Sequence, residues 1–169
     1  MKRIMLISLV LLVAVLASGC ASGGVTSVSV LGSMEEIKNI KALSVKIIGQ
    51  EVATSQEVEI FKELLINELK NKQIDVVDEA KTVLEVTIKS VERIDLIDML
   101  LLAPFKGSKG TGGRARCFVS VLVTNNNKKL LTFSVDGLPP QMTFAWRKTT
   151  KYAFVDAASR IAEKIKSVE

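Results

Sequence analysis

Few side chains in this chain have types and spacing suited to chemistry. None of the 169 residues is histidine, which excludes serine triads, cysteine–histidine dyads, histidine-ligated zinc and an imidazole pH switch. Asp95 and Asp98 could do acid–base work across a cleft, but only two apolar residues separate them and no polar scaffold surrounds them. We therefore predict a protein that is not an enzyme and has no metal and no cofactor.

A glycine-rich basic segment, residues 107–113, invites a phosphate-binding interpretation. A Walker motif requires Lys and then Ser or Thr directly after its second spaced glycine. Here Gly112 is followed by Gly113 and Arg114, so the motif fails. Arg114 and Arg116 then fall on the polar face of a predicted strand, which favours a solvated surface over an anion site.

Residues 99–105, just before the glycines, are apolar, and two interpretations stay open. In one, the segment contacts a protein partner or a lipid surface, with basic side chains near anionic head groups. In the other, it connects two strands and its leucines pack against the sheet edge. The candidate contact residues of the first interpretation are Leu100, Leu101, Leu102, Phe105, Lys106 and Lys109.

Cys117 lies in a run, residues 115–123, where apolar and polar residues alternate. The alternation places it on the apolar face of a strand, which predicts a small buried hydrophobe. A nucleophilic thiol would need a lowered pKa and a neighbouring base, and the chain offers no histidine for that role.

The first 19 residues have the pattern of an export signal, which we predict is cleaved before Cys20. Lys2 and Arg3 precede an uninterrupted apolar run at 4–16, and three small residues follow. A run of about 13 residues is shorter than the roughly 20 that span a bilayer core. When Lys2 and Arg3 leave with the signal, the basic excess falls from five to three, which is too small to predict nucleic-acid binding.

Ala17-Ser18-Gly19 before Cys20 resembles the lipobox of bacterial lipoproteins. The resemblance implies that Cys20 takes a diacylglycerol, becomes the first mature residue and is acylated further, for instance with palmitate. Two or three acyl chains would anchor the protein to a membrane without spanning it. Ala21, the residue after the cysteine, is not acidic. In this respect the chain resembles lipoproteins that are sent to the periplasmic face of the outer membrane. An ordinary cleaved signal with an incidental cysteine is the alternative.

The mature chain divides into a lipidated cysteine with a tether, residues 20–40, and one domain, residues 41–169. Within the tether, residues 28–30 could form a short strand. We predict a strand at 42–48, a helix capped by Thr54 and Glu57, a strand at 83–94, and a hairpin of 114–124 with 130–135. A final helix starts at Thr149 or Thr150. Its predicted inner face consists of Ala153, Phe154, Ala157, Ala158, Ile161, Ala162 and Ile165. The order β-α-β-β-β-α predicts an α+β two-layer sandwich, with two helices on one face of a mostly antiparallel sheet.

These elements, with glycines directly before the strand at 114–123, resemble over residues 40–167 a bacterial envelope lipoprotein family known only as a domain of unknown function. Similar architectures occur in the amino-terminal domain of the Tol system's periplasmic protein and in the curli secretion lipoprotein. The resemblance implies a binding and assembly module and supplies no active site. The chain departs from the family's usual acidic-glycine turn, because Asn125, Asn126 and Asn127 stand there.

We therefore predict a lipid-anchored envelope protein that binds a protein partner in envelope assembly or maintenance and does not bind nucleic acid. Exposed sheet edges leave a homo-oligomer open. The alternative function is a carrier or sensor of a lipid or hydrophobic small molecule, in which residues 100–105 cover an apolar pocket. An enclosed cavity would favour that alternative.

Overall fold

The computed structural model describes residues 24–38, 40–93, 115–138 and 149–167 of the chain. Six strands and three helices follow one another in these residues. They are β1 Gly24–Val30, α1 Met34–Lys38, β2 Ala42–Ile48, α2 Ser55–Asn71, β3 Asp75–Val76, β4 Thr82–Glu92, β5 Arg116–Asn125, β6 Lys128–Gly137 and α3 Thr149–Ser167.

The strands form one sheet in the order β1-β6-β5-β4-β2-β3. Strand β2 pairs in parallel with β3 and β4, and the other neighbours are antiparallel. Helix α2 provides the crossover that a parallel pair needs. The predicted α+β two-layer architecture is confirmed.

Helix α2 begins where the capping box predicts. The Thr54 hydroxyl accepts a hydrogen bond from the Glu57 backbone N–H at 3.2 Å, and the Glu57 carboxylate accepts one from the Thr54 backbone N–H at 2.9 Å. Two otherwise unpaired backbone donors are thus satisfied. Phe61, Leu65 and Leu69 follow at helical spacing and are fully buried.

The final helix, α3, packs its small side chains closely onto β6. All seven residues of its predicted inner face are buried. A Cβ atom at Gly137 would lie 2.3 Å from the Ala153 carbonyl oxygen, so glycine is required at this crossing. Phe154 of α3 meets Phe61 of α2, with ring centroids 5.5 Å apart, and joins the two helices in one apolar layer.

The β5–β6 hairpin turns through Asn126 and Asn127, as the sequence predicts. Both residues have positive φ, 49° and 64°. A two-residue loop with two left-handed residues matches the right-handed twist of paired strands. Asparagine tolerates this backbone conformation, so the turn forms without glycine.

The segment that the sequence assigns to the tether contributes to the fold. Residues 24–30 pair antiparallel with β6 as an edge strand, and Ile37 of the short α1 is buried in the core. Serine and glycine suggested a flexible tether, yet Val25, Val28 and Val30 suit a strand once β6 supplies a partner. The chain therefore joins the sheet four residues after Cys20.

Candidate functional site

The residues predicted to carry function lie outside the described part of the chain. These are Cys20, the carboxylates Asp95 and Asp98, and the contact residues Leu100, Leu101, Leu102, Phe105, Lys106 and Lys109. The residues that flank these segments are described, so the place where each segment leaves the sheet is known.

All of the flanking residues lie at one end of the sheet. Gly24 of β1 is opposite Asp136 of β6, which is opposite Phe118 of β5. Glu92, near the end of β4, is opposite Arg116, where β5 begins. We call this the Gly24 end. The fold therefore begins, after Cys20, at the same end of the sheet where the chain leaves β4 for segment 94–114 and returns to β5.

Arg93, the last described residue before that segment, is fixed to the start of α2. Its guanidinium donates to both carboxylate oxygens of Glu57, at 3.0 and 2.5 Å. Glu57 is also the capping residue, so one carboxylate ties the end of β4 to the helix. The Arg93 hydrogen bonds, and then those from Thr54, hold the pKa of Glu57 below its ordinary value against the opposing effect of burial.

Arg116, close to the other end of segment 94–114, makes a second two-pronged ion pair. Its guanidinium donates to the two oxygens of Asp136 at 2.6 and 2.5 Å, and this contact raises the pKa of the arginine. The sequence predicts Arg116 on a solvated polar face of the strand. In the structure its side chain instead forms an ion pair between β5 and β6. A guanidinium held in this way is not free to bind an external anion.

Asp156 anchors the chain where β6 ends. Its carboxylate accepts from the backbone N–H of Leu138 at 3.0 Å and from the Arg160 guanidinium at 2.8 Å. The Gly24 end is thus held by three arginine–carboxylate pairs. These pairs connect the ends of the flanking strands to one another and to helices α2 and α3.

Cys117 is buried within this ion-paired region. Burial, with a smaller contribution from the charges of Asp136 and Glu57, raises the pKa of its thiol to about 12. A thiol that stays protonated at neutral pH is a poor nucleophile. The prediction of a small buried hydrophobe is confirmed.

A surface cavity of about 500 Å³ lies at the end of β2, beside residues 87–89 of β4. Its lining consists of Ile47, Ile48, Gly49, Gln50, Glu51, Val52, Thr87, Ile88 and Lys89. Apolar side chains share the lining with charged and amide groups, so the cavity does not by itself favour a hydrophobic ligand.

The described residues contain neither a metal-binding cluster nor a membrane-spanning helix. No group of three Cys, Asp or Glu side chains is placed to hold a metal ion. The helices that the structure describes are all too short or too polar to cross a membrane.

Comparison with known proteins identifies the fold and no family. No protein-family model matches the chain, and no curated protein does. Two structures of the PelC dodecamer from Paraburkholderia phytofirmans share the fold at 14% identity. One, a single-residue variant, has a TM-score of 0.51 over 83% of this chain and 94% of its own. The other has a TM-score of 0.53 over 84% and 97%.

A third similar structure is a candidate lipoprotein from Caulobacter crescentus. Its TM-score is 0.35 at 16% identity, over 73% of this chain and 85% of its own. Membership of the domain-of-unknown-function family stays a prediction.

Sequence reasoning missed the exposed apolar surface of β1 and of the residues after it. Val28, Val30, Leu31 and Met34 are each between 42 and 54% exposed. A signal for it was present, because residues 24–34 contain no charged side chain. This edge strand lacks the charge and proline that protect many natural edges, and its irregularity is a register shift with β6 between Thr26 and Ser29.

Proposed function

We propose that this protein is a lipid-anchored accessory module of the bacterial cell envelope that acts by protein contact and not by catalysis. The acyl chains on Cys20 hold it at the periplasmic face of the outer membrane. The folded domain binds an envelope protein partner, in assembly or maintenance of the envelope, and also binds copies of itself.

The observation that carries the proposal is the placement of chain segments at the Gly24 end. Three residues lie between Cys20 and Gly24, and the four residue steps from one to the other span at most about 14 Å. Strands β1 and β4 are three spacings apart, roughly 14 Å. The points where segment 94–114 leaves and rejoins the sheet therefore lie close to the anchored surface. This supports a membrane-proximal role for Leu100–Leu102 and Phe105, with Lys106 and Lys109 near anionic head groups.

Two further observations support contact as the mode of action. The chain lacks histidine, the commonest general base, and its described cysteine is buried. Self-association is supported by the fold shared with PelC, whose structures are dodecamers. These observations favour a module whose surfaces are its functional parts.

The anchor is tested by Cys20→Ala, with Cys117→Ala as the matched control. In cells fed a radiolabelled fatty acid, Cys20→Ala should lose the label and leave the membrane fraction, because the thiol is the acylation site. Cys117→Ala should keep both the label and the membrane location. If Cys20→Ala stays labelled and membrane-bound like the wild type, the lipid anchor is wrong.

A further inference from the structure

The exposed apolar side chains of the described residues lie at the two edges of the sheet. Seven large hydrophobic side chains are exposed in this part of the chain. Val28, Val30, Leu31 and Met34 lie in β1 or shortly after it, whereas Ile48 ends β2, and Val52 and Val77 lie in the segments that follow β2 and β3. Large exposed apolar side chains that gather, among the described residues, at two opposite edges of a sheet indicate association edge to edge.

The β1 edge presents free backbone groups next to these side chains. Leu31 donates to the Leu130 carbonyl at 2.8 Å, which makes the two residues a hydrogen-bonded antiparallel pair. By the alternation of such pairs, the N–H and C=O groups of Val30 face away from β6. The register with β6 shifts between Thr26 and Ser29, where Ser27 has a φ of 54°, so Val28 lies in a bulge on this edge. Val30 lies opposite the buried Leu131, so its side chain is on the helix-covered face of the sheet.

At the opposite edge of the sheet, residues 44–48 of β2 have no neighbouring strand on their outer side within the described part of the chain. Strand β3 pairs only with Ala42 and Leu43, where the Val77 N–H donates to the Leu43 carbonyl. Along a strand, alternate residues point their backbone groups the same way, so those of Val45 and Ile47 face the uncovered side. Val45 lies opposite the buried Leu84, which puts its side chain on the helix-covered face as well.

We propose that β1 of one copy adds to the open half of β2 of the next copy, with Val28 opposite Ile47 and Val30 opposite Val45. From β1 to β2 the sheet contains three antiparallel pairings and one parallel pairing, so β1 runs antiparallel to β2. Placing the two side by side thus continues the sheet with an antiparallel pair. The helices of both copies stay on one face, and valine and isoleucine form cross-strand pairs. This inference rests on the self-association in the proposed function and names its interface.

Shape and charge favour a second copy as the occupant. Beyond Leu31 the chain turns away through Gly32, which also donates to Leu130, and β3 begins to cover β2 at Leu43. The two open edges therefore end at matching points. Lys46, the charged residue of open β2, is paired with Glu85 at 3.3 Å, so no unpaired charge opposes the neutral β1.

A symmetric pairing of β1 with β1 would cover exposed apolar side chains at only one of the two edges. It would leave Ile48, Val52 and Val77 uncovered on both copies. Pairing β1 with β2 uses a different edge on each copy, so it repeats from copy to copy and closes into a ring where the geometry allows.

The interface is tested with full-length protein carrying Val28→Cys and Ile47→Cys together, oxidised in detergent. Opposite residues of an antiparallel pair lie within disulfide range. The double variant should give a ladder of covalent dimers, trimers and larger species, with a crosslinked fraction about tenfold above either single variant. Val28→Cys with Glu59→Cys, an exposed residue of α2, is the matched control and should give no ladder.

Light scattering of the unmodified protein separates the outcomes. A ladder in the double variant alone supports the interface. Dimers from Val28→Cys alone would show symmetric β1 pairing and overturn it. An oligomeric wild type without a ladder would overturn the interface and leave self-association standing, whereas a monomeric wild type would overturn both. As a second variant, Val30→Lys should reduce the mass to that of a monomer without lowering the thermal midpoint, and an unchanged mass would contradict the proposal.

Discussion

The centre and the edges of the sheet use their apolar residues differently. In β5, which has a neighbour on each side, alternate residues from Cys117 to Val123 are fully buried under the helices. In β1, five consecutive residues at the outer edge are exposed, valines included. The same residue types thus stabilise the domain in the centre of the sheet and form an exposed apolar surface at its edge. We expect substitutions in the centre to change the free energy of unfolding and those at the edge to change association.

The largest effect on folding is expected at the contact between the two long helices. Phe61→Ala removes a ring that packs on Phe154 in the fully buried layer, and it should lower the free energy of unfolding by about 3–5 kcal/mol. Val28→Ala at the edge should lower it by less than about 1 kcal/mol. Urea unfolding of both variants checks the difference, and equal losses would contradict the division between centre and edge.

An intermediate effect is expected for the ion pair between β5 and β6. Asp136→Asn leaves a partly covered Arg116 without its two-pronged partner and should cost about 1–3 kcal/mol in unfolding free energy. Glu85→Gln breaks the pair with Lys46, whose side chain is 62% exposed, and should cost no more than about 0.5 kcal/mol. If Glu85→Gln cost as much as Asp136→Asn, exposure would not be what separates the two pairs.

The smallest effect is expected at the capping carboxylate, and it depends on pH. The pKa of Glu57 is lower in the folded than in the unfolded chain, so its stabilisation is complete above the unfolded value and is lost as the pH falls through the lowered folded value. Glu57→Gln should cost about 1 kcal/mol at pH 7 and progressively less in acid. Thermal unfolding at a series of pH values measures this, with exposed Glu59→Gln as the control. A cost that is constant down to pH 2 would refute the assignment.

Sequence patterns predicted the elements that are determined by residues close together in the chain. Thr54 with Glu57 fixed the start of α2, Asn126 with Asn127 suited the turn, and the alanine-rich spacing identified the buried face of α3. The edge strand β1 was harder, because the serines and glycines around it are typical of a tether. Only pairing with β6, about 100 residues later in the chain, makes it a strand.

The candidate site was predictable only in part. The burial of Cys117 follows from strand alternation, and the absence of histidine excludes whole classes of chemistry. The arginine pairs of Glu57 and Asp136 join residues 36 and 20 positions apart, so no local motif reveals them. The apolar edges likewise depend on which strands end the sheet, which is a property of topology and not of spacing.

The central claim, that this module acts by protein contact at a membrane, is tested most directly by crosslinking the native lipoprotein in living cells and identifying the attached molecules by mass spectrometry. We predict covalent species that contain further copies of this chain and a specific envelope protein, with the yield of the second reduced by Leu101→Asp. Recovery of the monomer alone, with a lipid or small molecule copurifying, would contradict the claim and indicate a carrier instead.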